Sequence, residues 1–164
     1  MYEIKTQISF EAAHRLYNVN TYSEACRKNL HGHSYKVILH ANRNTFDAIP
    51  MDPLTGKRDI KSGPALLDSS GMVVDFKLLK EIVKDVIEDP FDHSCILNSA
   101  DPLCKPISEN CENVHIVDEN PTAEWMAKHF FELVNEALAK KCPQVIVRQV
   151  EVQETENNVA IYER

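Results

Sequence analysis

Residues 31–41 have the sequence HGHSYKVILHA, in which apolar and polar side chains alternate. A period of two is typical of a β-strand with one buried face, and it places Tyr35 and Leu39 on that face. His31 and His33 share this parity at the start of the strand, so two imidazoles extend the apolar face. At this spacing both rings can reach a single metal ion.

Residues 2–13 alternate in the same way and predict another strand, with Ile8 and Phe10 on its buried face. His14 follows at the same parity. An antiparallel hairpin through a loop at residues 18–29 would bring His14 to the two histidines of the next strand. Three histidines with a vacant fourth position are typical of a catalytic zinc site. The alternative interpretation is a set of ordinary surface or core histidines.

Apolar side chains at helical spacing predict two amphipathic helices later in the chain. The first helix follows the capping residue Asp75 and stops at Pro90, and the second runs from Thr122 to Pro143. Further alternation predicts strands at residues 145–154 and 159–162, and a short strand is compatible with residues 72–75.

Two stretches, at about residues 42–70 and 99–119, break these patterns with prolines and are interpreted as irregular inserts. We expect one domain over residues 1–164, of the α+β class, with a four-stranded antiparallel sheet and two helices on one face. Such a sheet has two open edges. Open edges favour a homo-oligomer in which neighbouring sheets join into a barrel.

The composition argues against several classes of protein, including nucleic-acid-binding and membrane-spanning proteins. The chain of 164 residues has a formal net charge of −7, which argues against sequence-independent binding to nucleic acid. No apolar run approaches the length of a membrane span, and the first residues lack a signal-peptide pattern, so we expect a cytoplasmic protein. The five cysteines form no CxxC pair. A small-molecule substrate is therefore expected.

Candidate acid–base groups lie near the predicted metal site. Cys26 precedes His31 by five residues and is followed by Arg27 and Lys28, cations that favour a thiolate. A thiolate there could act as a base or nucleophile, and a buried loop cysteine is the equal alternative. The adjacent Asp92-His93 follows the first helix, a position typical of active-site loops.

Glu154-Thr155 ends the strand at residues 145–154, on its buried face. A carboxylate in that position needs a partner. The flat edge of a heterocycle with two N–H donors would suit it, and solvent is the alternative.

Taken together, these motifs resemble the family of 6-pyruvoyl-tetrahydropterin synthase and 6-carboxytetrahydropterin synthase. The resemblance runs from Tyr2 to Tyr162, apart from the two irregular stretches. The motifs that carry it are, in chain order, Phe10-Glu11-Ala12-Ala13-His14-Arg15-Leu16, Cys26, Leu30-His31-Gly32-His33-Ser34-Tyr35, Gly71-Met72-Val73-Val74-Asp75-Phe76, Asp92-His93, Asn120-Pro121-Thr122-Ala123-Glu124 and Glu154-Thr155.

The resemblance implies the tunnelling fold, whose subunits form barrels, usually as two stacked trimers with active sites between subunits. It implies one Zn²⁺ per subunit, held by His14, His31 and His33. It also implies a role for each remaining motif residue, namely Cys26 as the catalytic thiol, Asp92 and His93 as its acid–base pair, Glu154 as the pterin anchor, and Thr155 and Thr122 as the lining of that pocket.

The substrate of the family is 7,8-dihydroneopterin triphosphate. One branch eliminates triphosphate and forms 6-pyruvoyltetrahydropterin. The other also releases acetaldehyde and forms 6-carboxytetrahydropterin, on the route to queuosine. The first motif and Asn120-Pro121-Thr122 resemble the carboxy branch, residues 154–158 resemble the pyruvoyl branch, and the spacing from Cys26 to His31 lies between them. A non-catalytic pterin- or zinc-binding protein is a third interpretation, which Cys26 and Asp92-His93 oppose.

Overall fold

The computed structural model describes residues 2–20, 24–43 and 67–164. The elements follow one another as β1 (Ile4–Arg15), α1 (Glu24–Lys28), β2 (His31–Arg43), α2 (Phe76–Val83), a π-helical turn (Lys84–Glu88), α3 (Asp89–Phe91), β3 (Ser94–Asn98), α4 (Cys104–Ser108), β4 (Val114–Val117), α5 (Ala123–Lys141), β5 (Val145–Thr155) and β6 (Asn158–Glu163). No described helix is both long enough and apolar enough to cross a membrane.

The described strands form one six-stranded sheet in the order β4-β3-β1-β2-β5-β6. Its antiparallel part, β1-β2-β5-β6, contains the four predicted strands. The prediction of four strands in total was wrong, because β3 pairs in parallel with the end of β1 and β4 pairs in parallel with β3. Both added strands are short, with five and four residues, so the sequence shows little periodicity there.

Two further expectations about local structure were wrong. Residues 72–75 form no strand, because they lead into α2. Asp75 caps this helix, and its side chain accepts a hydrogen bond from the Lys77 N–H at 2.7 Å. Pro90 does not stop the first helix. The π-helical turn directs the Asp89 N–H to the Lys84 carbonyl, and this wider turn lets the helical path continue through Pro90 to Phe91.

The two predicted inserts differ in outcome. Within the first, residues 44–66 lie outside the described part of the chain. The second, at 99–119, is ordered rather than irregular, since it contains α4 and β4. Asp101 anchors it through a fully buried carboxylate that accepts two hydrogen bonds from the Arg15 guanidinium, one of them from Nε at 2.7 Å. The insert is therefore tied directly to the end of β1.

The core lies between one face of the sheet and the helices α2 and α5. Tyr35 and Leu39 on β2 are fully buried, as their parity predicted, and Phe130 of α5 packs at 5.8 Å from the Phe10 ring. Each such side chain contributes about 2 kcal/mol by leaving water. His14 lies at the end of this apolar face, so the packing that forms the core also fixes the position of its imidazole.

Candidate metal centre and surrounding cavity

The three predicted ligands converge at one end of the β1–β2 pair. In the strand register, His14 lies opposite His31 and Ala12 lies opposite His33. One ring nitrogen from each histidine lies within 4.8 Å of the other two. The predicted cluster of His14, His31 and His33 is therefore present in the geometry, and the period of two accounts for it.

Hydrogen bonds to carbonyl groups orient two of the rings. His14 Nδ1 lies 2.7 Å from the Pro121 carbonyl oxygen, and His31 Nδ1 lies 3.1 Å from the Asn29 carbonyl oxygen. Because a carbonyl only accepts, we assign the ring proton to Nδ1 in both histidines. Both Nε2 atoms then carry a lone pair. Carbonyl partners of this kind orient metal-bound histidines in proteins.

The Nε2 atoms of the three histidines are arranged for binding a metal ion rather than for hydrogen bonding to one another. The Nε2 atoms of His14 and His31 are 3.1 Å apart, so two lone pairs face one another. The Nε2 atom of His33 is buried and has no hydrogen-bond partner. Two nitrogens bound to one tetrahedral zinc lie about 3.3 Å apart. This donor set therefore matches a zinc ion with one position left for another ligand.

Burial keeps His14 in the neutral form that binds metals. The residue is 1 % exposed, and loss of hydration lowers its pKa to about 4, helped by the neighbouring His31 and His33 and opposed by the Pro121 carbonyl. The buried Tyr35 is a neighbour of His14, and its hydroxyl lies 3.2 Å from His14 Nδ1. Burial, aided by the charge of Glu154, raises the pKa of Tyr35, so this hydroxyl keeps its proton.

Glu154 lies beside the histidines, a proximity that the sequence alone did not predict. Its Oε1 atom is 3.6 Å from Nε2 of His14 and 3.9 Å from Nε2 of His33. The alternation along β5 predicts that Glu154 lies on the buried face, but only the pairing of β5 with β2 brings its carboxylate to this end of the sheet. The other parts of the site that sequence reasoning missed are the Pro121 and Asn29 carbonyls, since any residue supplies a carbonyl.

A cavity of about 550 Å³ opens next to Glu154, lined by Leu16, Thr122, Ala123, Glu124, Glu154, Asn157, Asn158, Val159 and Ala160. Thr122 reaches this wall as the N-cap of α5, where its hydroxyl accepts a hydrogen bond from the Trp125 N–H. The hydroxyl of Thr155 instead accepts a hydrogen bond from Asn158 at 2.8 Å. Thr155 therefore shapes the turn that borders the cavity.

Cys26 lies in α1, close in the chain to the metal ligands. Its carbonyl accepts a hydrogen bond from the Leu16 N–H at 3.2 Å, which attaches α1 to the chain just after β1. The two cations expected to favour a thiolate are both engaged elsewhere, because Lys28 and Arg27 pair with Glu24 at 2.7 and 3.6 Å.

Asp92 and His93 form the predicted hydrogen-bonded pair, with Asp92 Oδ2 2.8 Å from His93 Nδ1. The other carboxylate oxygen accepts the Glu11 N–H, and this bond above all holds the pKa of Asp92 below its usual range. His93, whose side chain is 82 % exposed, lines a groove with Glu11, Ala13 and Ser34. Ala12 and His33 also line this groove, so it borders the strands that carry the metal ligands.

Comparison with known proteins identifies the family. A sequence profile described as 6-pyruvoyl tetrahydropterin synthase matches residues 3–164. The chain belongs to this family. The resemblance carried by the sequence motifs is thereby confirmed.

Relatives within the family bear two names. The 6-carboxy-5,6,7,8-tetrahydropterin synthase of Rickettsia bellii is 32 % identical over 165 residues, covering 96 % of each chain. The human 6-pyruvoyl tetrahydrobiopterin synthase is 25 % identical over 168 residues, covering 98 % of this chain and 90 % of its own.

Solved structures share the fold. A Wolinella succinogenes protein of uncharacterised function superposes with a TM-score of 0.73 at 24 % identity, covering 99 % of this chain and 98 % of its own. The 6-pyruvoyl tetrahydropterin synthase of Caenorhabditis elegans gives a TM-score of 0.59 at 22 % identity, covering 99 % and 95 %. The predicted α+β class and the tunnelling fold of the family are thus confirmed, with six strands in the described part of the chain rather than four.

Proposed function

We propose that this protein is a zinc-dependent 6-carboxy-5,6,7,8-tetrahydropterin synthase. It would convert 7,8-dihydroneopterin triphosphate and water into 6-carboxytetrahydropterin, acetaldehyde and triphosphate, a step toward queuosine and related deazapurines. The observation that carries this proposal is the convergence of three Nε2 atoms, two of them fixed through Nδ1, beside a cavity that contains a carboxylate. The relatives named for this reaction reach 32 % identity.

His14, His31 and His33 would hold the zinc ion through Nε2, leaving one position for the substrate. When bound, zinc supplies Lewis-acid polarisation of the side-chain oxygens of the substrate, which acidifies the adjacent C–H. The neutral state of His14 supports this role, because a protonated imidazole binds no metal.

Glu154 would bind the pterin ring. A carboxylate has two acceptor oxygens, and the guanidine-like edge of a pterin presents two N–H donors in the matching arrangement. Thr122 lies on the wall of the same cavity, and Thr155 braces its border. The ring would then be held in the cavity with its side chain directed toward the histidines.

Cys26 and His93 would move protons. Cys26 as thiolate would remove the acidified proton, and His93, oriented by Asp92, would deliver or accept protons at the substrate oxygens. The 2.8 Å contact between Asp92 Oδ2 and His93 Nδ1 supports this pairing, since it leaves Nε2 of His93 to exchange protons.

The placement of Asp92 and His93 favours an active site shared between copies of the chain. The His93 side chain is 82 % exposed, which leaves it accessible to a neighbouring copy of the chain, and that copy would supply the pair to the metal site. The sheet also has apolar side chains at its edges, with Val159 and Ile161 of β6 exposed by 48 % and 58 %. We propose a homo-oligomer, a hexamer of two stacked trimers, in which these edges pair.

The second candidate function is that of a 6-pyruvoyl-tetrahydropterin synthase, which eliminates triphosphate without releasing acetaldehyde. Residues 154–158, ETENN, favour it, and three of them, Glu154, Asn157 and Asn158, line the cavity. This stretch includes Glu154, the proposed pterin anchor. It therefore indicates how the pterin ring is held more than which bond in the side chain of the substrate breaks.

One assay separates the candidates. Zinc-loaded protein is incubated with 7,8-dihydroneopterin triphosphate, and acetaldehyde, triphosphate and pterin products are measured. Acetaldehyde in equal amount to triphosphate supports the carboxy reaction, and triphosphate without acetaldehyde supports the pyruvoyl reaction. Binding of the pterin without turnover would contradict both and indicate a non-catalytic pterin- or zinc-binding protein.

A further inference from the structure

Residues 90–93 carry the chain from the end of α3 to the start of β3. The chain leaves the helix at Asp92 and enters the sheet at Ser94, and between them His93 adopts a φ of 56°. This left-handed conformation is costly for a residue with a side chain. It persists only where the surroundings hold the backbone, so the contacts of this segment decide where the His93 imidazole lies.

Side chains from elsewhere satisfy the carbonyl groups of this segment. Ser94 Oγ donates to the Phe91 carbonyl at 2.6 Å. Asn113 Nδ2 donates to the Pro90 carbonyl and to the Asp92 carbonyl, each at 3.0 Å. These bonds replace the backbone pairing that a helix or a strand would give.

Asn113 is well suited to this position. Its amide nitrogen carries two hydrogens, so one atom can bridge two carbonyls that lie two residues apart in the chain. Its own backbone carbonyl accepts the Cys95 N–H at 3.0 Å, which fixes Asn113 to β3. His115 adds a second contact, donating from Nε2 to the Pro90 carbonyl at 2.8 Å while its ring stacks on Phe91.

We propose that Asn113 is a positioning residue for the Asp92–His93 pair. It clamps the carbonyls on both sides of Phe91 and thereby holds the strained backbone at His93 in the one arrangement that aligns its imidazole with the Asp92 carboxylate. This inference rests on the acid–base role proposed above for His93. It also gives the insert at 99–119 a function, because Asn113 lies within it.

The test compares Asn113→Ala with Asn110→Ala in the full-length, zinc-loaded protein. Asn110 is a matched control, since it lies three residues away and its amide donates to a single carbonyl, that of Pro106 at 2.8 Å. The first readout is the signal of His93 at fixed pH in NMR of histidine labelled with ¹³C at Cε1, assigned with His93→Gln. The second is kcat and KM for the pterin triphosphate.

Asn113→Ala is expected to shift the ¹³Cε1 signal of His93, because the imidazole loses part of its alignment with Asp92. Its kcat should fall about tenfold with KM within about twofold, since the clamp acts on the acid–base pair rather than on the cavity. Zinc content should stay unchanged. Asn110→Ala should match the wild type in all of these measurements.

An unchanged His93 signal in Asn113→Ala would overturn the proposal. Should that variant fail to fold, Asn113→Ser keeps one donor and should shift the signal in the same direction by a smaller amount, and an unshifted signal would again overturn it. If the wild type turns over no pterin triphosphate, the proposed function fails, while the NMR comparison still decides whether Asn113 positions His93.

Discussion

Replacing Asp101 with alanine should destabilise the protein by about 3 kcal/mol. The carboxylate is fully buried, and it accepts two hydrogen bonds from the Arg15 guanidinium and one from the Leu103 N–H at 2.8 Å. Removing one partner of a buried ion pair costs about 3–5 kcal/mol, because the remaining charge is left without compensation. The lower end applies here, since the Arg15 side chain is 12 % exposed and lies over the Tyr17 ring at 5.6 Å.

Urea unfolding of zinc-loaded protein at fixed concentration, followed by circular dichroism, measures this change. The matched control is Glu136→Ala, which breaks the exposed pair of Glu136 with Lys140 at 2.7 Å and should have little measurable effect. The double variant Arg15→Met/Asp101→Leu should recover much of the loss, since no unpaired charge remains. Equal midpoints for Asp101→Ala and Glu136→Ala would refute this reasoning.

Three further predictions concern the site. Cys26→Ala should keep its zinc but lose turnover in the acetaldehyde assay, and full activity would contradict the role given to the thiol. Glu154→Gln should raise KM for the pterin at least about tenfold with zinc content unchanged, because an amide offers the ring one acceptor oxygen where the carboxylate offers two. In metal-free protein, the unfolded chain binds a proton at His14 between pH 6.5 and about 4 that the folded chain does not. Stability should therefore fall by about 3 kcal/mol as the pH drops through this window, and urea titrations of His14→Gln should lack that part of the pH slope.

The metal ligands could be predicted from the sequence because they depend on a local rule. Strand parity alone puts His31, His33 and Tyr35 on one face of β2. It also puts His14 on the same face of β1 as Phe10. The structure confirms this face, with Phe10 and Tyr35 almost completely buried. A period of two survives any change in how the strands pair, so the prediction needed no knowledge of the sheet order.

The rest of the site depends on contacts between distant parts of the chain. Pro121 orients His14 through its carbonyl, across 107 residues of sequence, and no side-chain pattern encodes a carbonyl. The strands β3 and β4 were missed for a related reason, since four or five residues hold too few periods to be recognised. The π-helical turn that carries the chain past Pro90 is a response to tertiary packing, which local helix rules do not contain.

Strand β1 connects the metal ligands with the acid–base pair. Asp92 and His93 are fixed to the backbone of Glu11, and Glu11 directly precedes the stretch of β1 that ends in His14. As proposed above, a neighbouring copy of the chain would supply Asp92 and His93 to the metal site of the first. A variant forced to remain monomeric would therefore keep its zinc site and lose its turnover. Mixing an inactive Cys26 variant with an inactive His93 variant should restore activity only when the two chains assemble together.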